Sequence, residues 1–298
     1  MINLKKLIPG DIRGEIMYAL SFLSDETYIK LFYFCTTGRR LNLKNPTGFN
    51  EKINWLKLHD KHQEYNKLAD KYAVREHINE ALGEGHLFPV LGKWESFAEI
   101  DFESLPNEFV LKCNHDSGSV RVIRDKSSLG DNDKRSLQKF YTKRLNRNFY
   151  YAGREYCYKD IGKRYIIAEQ LMEDKGNPGK SIEDYKFYCF NGKPKIMLVV
   201  TDRENDCRFD FFDMDFKHLD IIRRYPNADK HIEKPLLFEE MKQIAMDLSQ
   251  GMSCVRIDLY QLNGNIYFGE YTFFPGGGFE LFKPDKWEKK LGDWIKIS

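Results

Sequence analysis

The chain has 298 residues, enough for a large core, and its 47 lysine and arginine residues nearly balance its 45 aspartate and glutamate residues. The net charge of +2 gives no global reason to expect a nucleic-acid partner. Its six cysteines contain no CxxC pair, which argues against a zinc site or a disulfide framework. No apolar stretch approaches the roughly 20 residues of a membrane span, and the N-terminus lacks the apolar segment of a secretory signal. We therefore expect a cytoplasmic protein with no membrane span and no nucleic-acid partner.

The first 80 residues are predicted to be mainly helical. Apolar residues recur at helical spacing after Asp25, after Asn50 and over residues 64–81, and we expect the last of these segments to form one unbroken helix. Gly83 ends it, because glycine is a common residue just past a helix C-terminus. A change of period follows, and residues 87–91 are predicted to form a short strand.

The middle of the chain mixes strands with a long helix. Residues 108–113 and 120–123 are predicted to form a hairpin, and the small polar residues between them, 114–119, are expected to form a flexible tip. Residues 131–148 have apolar side chains at helical spacing among many basic ones, which predicts an amphipathic helix.

The second half is predicted to be an antiparallel sheet with one covering helix, residues 238–251. Two Asn-Gly pairs, at 191–192 and 263–264, are strong signals for two-residue hairpin turns. The predicted strands are residues 164–172, 185–190, 196–200, 253–260 and 266–272.

The last hairpin contains the most informative charged residues. Arg256 and Asp258 are two apart on one strand, and Glu270 and Thr272 are two apart on its partner, so each pair shares a face of the sheet. Two carboxylates close together offer the oxygen ligands that Mg²⁺ prefers, and an arginine beside them suits a phosphate. The alternative is a surface ladder of ion pairs with no ligand.

Two lysines are further candidates. Lys112 precedes a loop containing Ser117, Gly118 and Ser119, whose N–H groups together with the ammonium would suit phosphate oxygens. Loops of this kind are also ordinary turns. Lys186 lies in an otherwise apolar and aromatic strand, so it requires an anionic partner if it points inward, although it is equally able to point into water.

Several short motifs resemble those of ATP-grasp ligases in order and approximate spacing. They are FVLK at 109–112, AEQL at 168–171, DYK at 184–186, RID at 256–258 and EYT at 270–272. Residues 45–58, 69–72 and 113–118 further resemble the ATP-grasp subfamily named for teichuronopeptide biosynthesis, whose genes often accompany those for bacterial surface polysaccharides. The resemblance covers nearly the whole chain.

The resemblance implies the α+β class and an ATP-grasp fold, in which two antiparallel-sheet subdomains clasp ATP and a hairpin lid closes over its phosphates. The lid is assigned to residues 114–120. The expected divisions are a helical N-terminal region at 1–80, a lid-bearing subdomain at 81–170, and a C-terminal subdomain with the metal site at 171–298.

The resemblance also implies roles for individual residues. Those expected to contact ATP are Lys71, Lys112, Ser117, Gly118, Ser119, Glu169, Gln170, Leu171 and Lys186, with residues 169–171 at the adenine. The expected Mg²⁺ ligands are Asp258, Glu270 and Thr272, and the expected catalytic residues are Arg256 and Lys186. Thr272 departs from the family pattern, which often has asparagine there, so the number of metal ions stays open.

The reaction implied is ATP-dependent joining of a carboxylate to an amine through an acyl phosphate, with a uronic acid or acidic glycan precursor as the acid and an amino acid as the amine. Arg203 and the turn containing Gly276, Gly277 and Gly278 are candidate substrate contacts. Two rival functions stay open: a glycosyltransferase of capsule or O-antigen synthesis, and a non-catalytic glycan-binding relative. Peripheral association with a membrane-bound glycan assembly also stays open, as does the oligomeric state.

Overall fold

The structure, a computed structural model, describes residues 10–176, 182–203 and 206–297. The helices before residue 83 are α1 (Gly10–Ala19), α2 (Asp25–Thr37), α3 (Phe49–His59), α4 (Glu64–Ala69) and α5 (Val74–Leu82). The later ones are α6 (Asp131–Leu145), α7 (Tyr150–Gly153), α8 (Phe238–Leu248) and α9 (Lys286–Trp294). No helix within the described residues combines the length and the apolar character that crossing a bilayer requires.

The smaller sheet has four antiparallel strands in the order β1–β4–β2–β3. These are β1 (Val90–Trp94), β2 (Phe109–Cys113), β3 (Arg121–Ile123) and β4 (Ile166–Gln170). Along β2 the side chains of Phe109 and Leu111 are fully buried beneath α6, whose Tyr141 hydroxyl donates to the Leu111 carbonyl at 2.9 Å. Because side chains alternate along a strand, Val110 and Lys112 face the other side of the sheet.

The larger sheet has six antiparallel strands in the order β10–β9–β5–β6–β7–β8. These are β5 (Asp184–Phe190), β6 (Lys193–Thr201), β7 (Arg208–Asp213), β8 (His218–Leu219), β9 (Cys254–Leu262) and β10 (Asn265–Thr272). Both residues of each Asn-Gly turn have positive φ, at 49° and 73° for 191–192 and at 52° and 79° for 263–264. Positive φ at both positions is the type I′ geometry, so the two predicted hairpins are confirmed.

The N-terminal helices pack against the larger sheet. Phe49 and Ile53 of α3 and Ile78 of α5 share one hydrophobic cluster with Phe187 and Ile257 of the sheet. The α+β class with two antiparallel sheets is confirmed, and the described part of the N-terminal region is helical as expected. The division at residues 80 and 170 stays a prediction; residues 1–9, 177–181, 204–205 and 298, which it includes, lie outside the described residues.

The unbroken helix predicted over residues 64–81 is wrong, because the chain leaves the helical path at Asp70. The Asp70 carboxylate accepts hydrogen bonds from the backbone N–H groups of Tyr72 at 2.7 Å and Ala73 at 3.0 Å. A short acidic side chain that binds nearby N–H groups competes with the helical ladder and starts a new helix instead. Asn114 reinforces the break by donating to Asp70 at 2.7 Å.

Candidate active site

A bulge in the last hairpin decides which acidic residues meet. The turn pairs Leu262 with Asn265, and an undisturbed ladder from that pair would set Gly269 opposite Asp258. A register shift just before Glu270 sets Glu270 opposite Asp258 instead. Because a one-residue shift moves a side chain to the other face, the bulge is what brings the two carboxylates to the same face. A Cβ atom on Gly269 would lie 3.1 Å from the Asp258 carbonyl oxygen, which explains a glycine at this position.

Three neighbouring strands bring a row of charged side chains together. Lys186 of β5 lies opposite Asp258 of β9, which in turn lies opposite Glu270 of β10. The Lys186 ammonium donates to the Asp258 carboxylate and forms an ion pair with Asp184 at 2.6 Å. Lys186 is 7% exposed, so its side chain points into this row and not into water. The next row contains Arg256 and Thr272, which are also paired across β9 and β10.

One nitrogen atom of Arg256 donates hydrogen bonds to oxygen atoms of three neighbouring side chains. Its Nη2 donates to Asp258 Oδ2 at 2.7 Å, to Thr272 Oγ1 at 2.9 Å and to Glu270 Oε1 at 3.2 Å. Its Nε donates to the second oxygen of Asp258 at 2.6 Å. The three predicted metal-binding residues therefore converge on one position that a cationic group already holds.

The charged groups of this cluster stabilise one another in their ionised forms. Burial alone would raise the pKa of Asp258, but the nearby positive charges of Arg256 and Lys186 outweigh it and lower the pKa below its ordinary value. Burial likewise opposes the charge on Arg256, yet the Asp258 carboxylate raises the pKa of the guanidinium well above its usual value. Both groups are therefore charged at neutral pH, and each depends on the other.

The donor set fits a magnesium ion that also binds phosphates. Mg²⁺ usually takes one or two protein carboxylates and completes its shell with water and phosphate oxygens. Asp258 is buried and Glu270 is 34% exposed at its side chain, so the pair has one fixed and one accessible carboxylate. Within the described ranges there is no group of three or more histidine, cysteine, aspartate or glutamate side chains able to hold a metal by themselves. The site thus suits a metal that arrives with a polyphosphate.

Asp184 is a member of the cluster that sequence reasoning missed. Its carboxylate is buried, accepts a hydrogen bond from Arg203 and forms an ion pair with Lys186, while its Oδ1 atom has no hydrogen-bond partner. The sequence did contain a signal for Asp184, because Asp184 and Lys186 are two apart on one strand, as Arg256 and Asp258 are, and so share a face of the sheet. Arg203, a predicted substrate contact, is 53% exposed at its side chain and reaches the cluster through Asp184.

A cavity of about 240 Å³ lies between the two sheets. Its lining includes Lys71, Lys112, Glu169, Gln170, Leu171 and Arg203 from the predicted sites, together with the apolar side chains of Phe88, Val110, Val122 and Phe268. Apolar walls with a few polar groups are typical of small-molecule sites. The structure thus brings together most of the predicted nucleotide residues.

On the cavity wall, Lys112 is paired with Glu169 at 2.5 Å, and Arg75 approaches the same carboxylate at 3.8 Å. Arg75 is a cavity residue that the sequence analysis did not single out. The Gln170 amide donates to the Pro89 carbonyl at 2.9 Å, so within the predicted adenine segment that N–H group is already engaged. Leu171 follows directly after the last residue of β4.

The loop predicted to be a flexible tip, residues 114–119, is buried at four of its six positions. Asn114, His115, Asp116 and Ser119 are each no more than 2% exposed. The Arg144 guanidinium of α6 binds the Asp116 carboxylate at 2.7 Å and also donates to the carbonyl groups of residues 117 and 118. Buried polar groups of this kind need partners, and the loop conformation supplies them.

Ser117, Gly118 and Ser119 consequently do not line the cavity between the sheets. The Ser119 hydroxyl donates to Asp116 at 2.5 Å and accepts from the Cys113 amide at 2.8 Å. Lys71 does line the cavity, but its ammonium donates to the Asp116 carbonyl. The assignment of a lid to residues 114–120 stays a prediction, and of these residues Val120 lines the cavity.

The glycine-rich turn after β10 packs against α3. All three residues, Gly276, Gly277 and Gly278, have positive φ, which favours glycine. The Gly277 carbonyl accepts from the buried Lys57 ammonium at 2.5 Å, and the Gly278 carbonyl accepts from the Asn54 amide at 2.7 Å. None of the three glycines lines the cavity between the sheets.

The family model described as TupA-like ATPgrasp matches residues 51–296. A search of proteins with curated descriptions gave no significant match.

Solved structures with partial similarity include D-alanine–D-alanine ligase from Bacillus anthracis, with 18% identity, a TM-score of 0.43, and coverage of 77% of this chain and 66% of that one. D-alanyl-alanine synthetase A from Vibrio cholerae has 12% identity and a TM-score of 0.45, over 84% and 70%. ATP-grasp ligase PsnB, in complex with a minimal precursor, has 11% identity and a TM-score of 0.43, over 79% and 61%. The chain thus spans less than two thirds of the first and third of these proteins. Assignment of the chain to a family therefore rests on the family match alone, because these structural similarities are too low to add to it.

Proposed function

Because the chain belongs to the TupA-like ATP-grasp family, we propose that it is an ATP- and Mg²⁺-dependent carboxylate–amine ligase. The observation that carries the proposal is the convergence of Asp258, Glu270 and Thr272 oxygens on one cation position, Arg256 Nη2. A cavity between the sheets, with Lys112 and residues 169–171 in its wall, supports ATP binding.

In this proposal the cavity holds the nucleotide, with its base against the apolar walls and its phosphates directed toward the charged row. Lys112 and Lys186 would bind phosphate oxygens, and Asp258 and Glu270 would hold Mg²⁺, with Thr272 as a weaker third donor. Bound Mg²⁺ would supply charge neutralisation for the phosphates. Arg256 would stabilise charge on the phosphoryl group that moves to the carboxylate, since positioned cations act strongly in a site that excludes water.

We further propose that the substrates are an acidic sugar, such as a uronic acid or a polysaccharide precursor, and an amino acid or other amine. Transfer of the terminal phosphoryl group of ATP to the carboxylate gives an acyl phosphate and ADP, and the amine then displaces phosphate to form an amide. The link with bacterial surface polysaccharide, and a place in the cytoplasm near the membrane, rest on the family resemblance.

The glycosyltransferase alternative gains no support from Asp213 and Asp215, two aspartates separated by one residue. Such an enzyme would need paired aspartates to hold a nucleotide-sugar metal. The Asp213 carboxylate instead accepts from the backbone N–H groups of Asp215 at 3.0 Å and Lys217 at 2.8 Å, which makes it a turn residue. A non-catalytic glycan-binding role is the second rival.

The proposal is tested by incubating the purified chain with MgATP, D-glucuronate or D-galacturonate, and glycine, L-alanine, L-glutamate or L-lysine. ADP, phosphate and product mass are followed together. An amide product with stoichiometric ADP supports the ligase. A phosphorylated sugar without amide would indicate a kinase, and glycan binding without ATP consumption across the panel would favour the non-catalytic alternative.

A further inference from the structure

The position of Glu155 is restricted by the backbone conformation of the residue before it. The preceding residue, Arg154, has a left-handed backbone with φ of 56°, which is unfavourable for a residue with a side chain. Its guanidinium is 1% exposed, lies 4.4 Å from the ring centre of Tyr28 and forms an ion pair with Asp25 at 3.7 Å. Glu155 therefore follows a conformation that surrounding contacts impose, and conformations of this kind are concentrated at functional sites.

Two glycines make room for the Glu155 carboxylate. A Cβ atom on Gly153 would lie 2.6 Å from Glu155 Oε1, which no real contact allows, and a Cβ atom on Gly277 would lie 3.4 Å from the same oxygen. Gly153 ends α7, and Gly277 belongs to the turn that follows the strand of Glu270 and Thr272. The carboxylate thus lies between two segments that are far apart in sequence.

The same two glycines hold a buried cation. No carboxylate oxygen of the described residues lies within 4.0 Å of Lys57 Nζ. The ammonium donates to the carbonyl groups of Gly153 at 2.8 Å and Gly277 at 2.5 Å, and it lies 4.0 Å from the ring centre of Phe279. Lys57 is 2% exposed. Burial lowers the pKa of Lys57 to about 8, and the charge of Glu155 partly offsets this effect. Lys57 therefore fixes the two glycine carbonyls, and it does not form a direct ion pair with Glu155.

Within the described residues, the Glu155 carboxylate accepts no hydrogen bond and forms no ion pair, although its side chain is only partly exposed. The charged groups whose fields reach it are Lys57 and Glu270. Burial raises the pKa of Glu155, the Lys57 charge lowers it, and Glu270 raises it. Glu155 is therefore a half-buried carboxylate near a second one, Glu270, and no cation of the described residues donates a hydrogen bond to it.

We propose that Glu155 binds the amine substrate of this ligase and accepts a proton from its ammonium group. This inference rests on the proposed function and assigns the amine to a place beside Gly153 and Gly277. The ammonium form transfers one proton to the Glu155 carboxylate, and the neutral amine nitrogen then forms the C–N bond while the acyl C–O bond to phosphate breaks. The products are the amide, inorganic phosphate and a second proton lost from nitrogen to solvent.

A protonated amine fits this position better than the other ligand classes. A carboxylate ligand would be repelled by Glu155 and Glu270, and Mg²⁺ would require more oxygen donors than one carboxylate supplies. An ammonium group donates the hydrogen bonds that Glu155 lacks and balances its charge. The turn containing Gly276, Gly277 and Gly278, which is predicted to contact a substrate, is one wall of the amine site in this proposal.

The test separates the two half-reactions with hydroxylamine, which is uncharged at neutral pH and traps an acyl phosphate as a hydroxamate without needing a base. The purified full chain is incubated with MgATP, D-glucuronate or D-galacturonate, and either hydroxylamine or the amino acids of the panel above. The variants are Glu155→Gln and Glu155→Asp, with Asp160→Asn as a matched control because Asp160 is an exposed acid in the same segment.

We expect Glu155→Gln to retain hydroxamate formation within about twofold and to lose at least about tenfold in kcat/KM for the amino acid, the size expected for a charged hydrogen bond. Glu155→Asp should recover part of the loss, and Asp160→Asn should behave as the wild type. Thermal unfolding checks each variant, and Glu155→Asp decides the matter if Glu155→Gln does not fold.

Each other outcome overturns the inference in a recognisable way. Wild-type protein that gives neither hydroxamate nor amide refutes the proposed function, and this inference with it. Equal amide formation by Glu155→Gln and wild type refutes the role of Glu155 while the ligase function stands. An equal loss of hydroxamate and amide in a folded Glu155→Gln variant shows a structural role only.

Discussion

Both sheets set a lysine against a carboxylate on a neighbouring strand, but the two clusters differ in their balance of charge. On the smaller sheet one carboxylate, Glu169, meets two cations, Lys112 and Arg75. On the larger sheet the linked groups are three carboxylates and three cations, namely Asp184, Asp258 and Glu270 with Lys186, Arg203 and Arg256. The smaller sheet thus has excess positive charge, whereas the larger sheet is balanced internally.

This difference assigns the two sheets different tasks in the proposed ligase. Excess positive charge beside a cavity attracts the phosphates of a nucleotide. A balanced and mostly buried cluster has little net attraction for either ion alone, but it can accept Mg²⁺ together with a polyphosphate, because the added charges largely cancel. The comparison therefore predicts that the larger-sheet cluster matters more for stability and for chemistry than the smaller-sheet pair.

The largest expected effect on stability comes from Asp258→Asn. The change leaves Lys186 and Arg256 buried beside a neutral amide, and breaking a buried pair in this way typically costs about 3–5 kcal/mol. Urea denaturation measures the free energy of unfolding of each variant. Glu169→Gln, whose partners Lys112 and Arg75 are more exposed at 15% and 22%, should cost less. The exposed Glu95→Gln should change stability by no more than about 0.5 kcal/mol. Equal losses of stability for Asp258→Asn and Glu169→Gln would contradict the predicted difference between the two clusters.

Glu270→Gln should act mainly on turnover. Its side chain is 34% exposed and Asp258 continues to balance Arg256, so the fold should be retained. The loss of one metal-binding carboxylate should reduce ATP-dependent ligation by roughly a hundredfold to a thousandfold, the size seen when one preorganised electrostatic contact is removed. The rate of ADP formation measures this effect. Wild-type turnover in this variant would exclude the metal assignment for Glu270.

A smaller loss of stability than that of Asp258→Asn is expected from Gly269→Ala. The new methyl group would lie 2.9 Å from the Tyr260 ring and 3.1 Å from the Asp258 carbonyl oxygen, so the bulge must shift. Overpacking of this kind typically costs about 1–3 kcal/mol. The free energy of unfolding measures the cost, and Gly162→Ala is the matched control because a Cβ atom at Gly162 meets nothing within 4 Å. If both variants unfold alike, the bulge does not depend on glycine.

The strands, the hairpins and most of the candidate site followed from local patterns. Alternation along β5, β9 and β10 indicated which residues share a face, and the Asn-Gly turns predicted the pairings at residues 190–193 and 262–265 that the structure has. These features are decided by neighbours along the chain or by a turn type that few residues allow. The motif order likewise predicted the family that the comparison confirmed.

The remaining features depended on contacts between distant segments. The Gly269 bulge alone brings Glu270 to the face of Asp258, and the sequence showed only a glycine within a strand. The loop at 114–119 looked flexible because its residues are small and polar, but Arg144, 28 residues after Asp116, supplies the partners that let it be buried. Glu155 lies near Gly277 because Lys57, from a distant helix, binds the carbonyl groups of both Gly153 and Gly277. Local sequence thus determined the elements and their faces, whereas tertiary packing decided which polar groups of the described residues found partners.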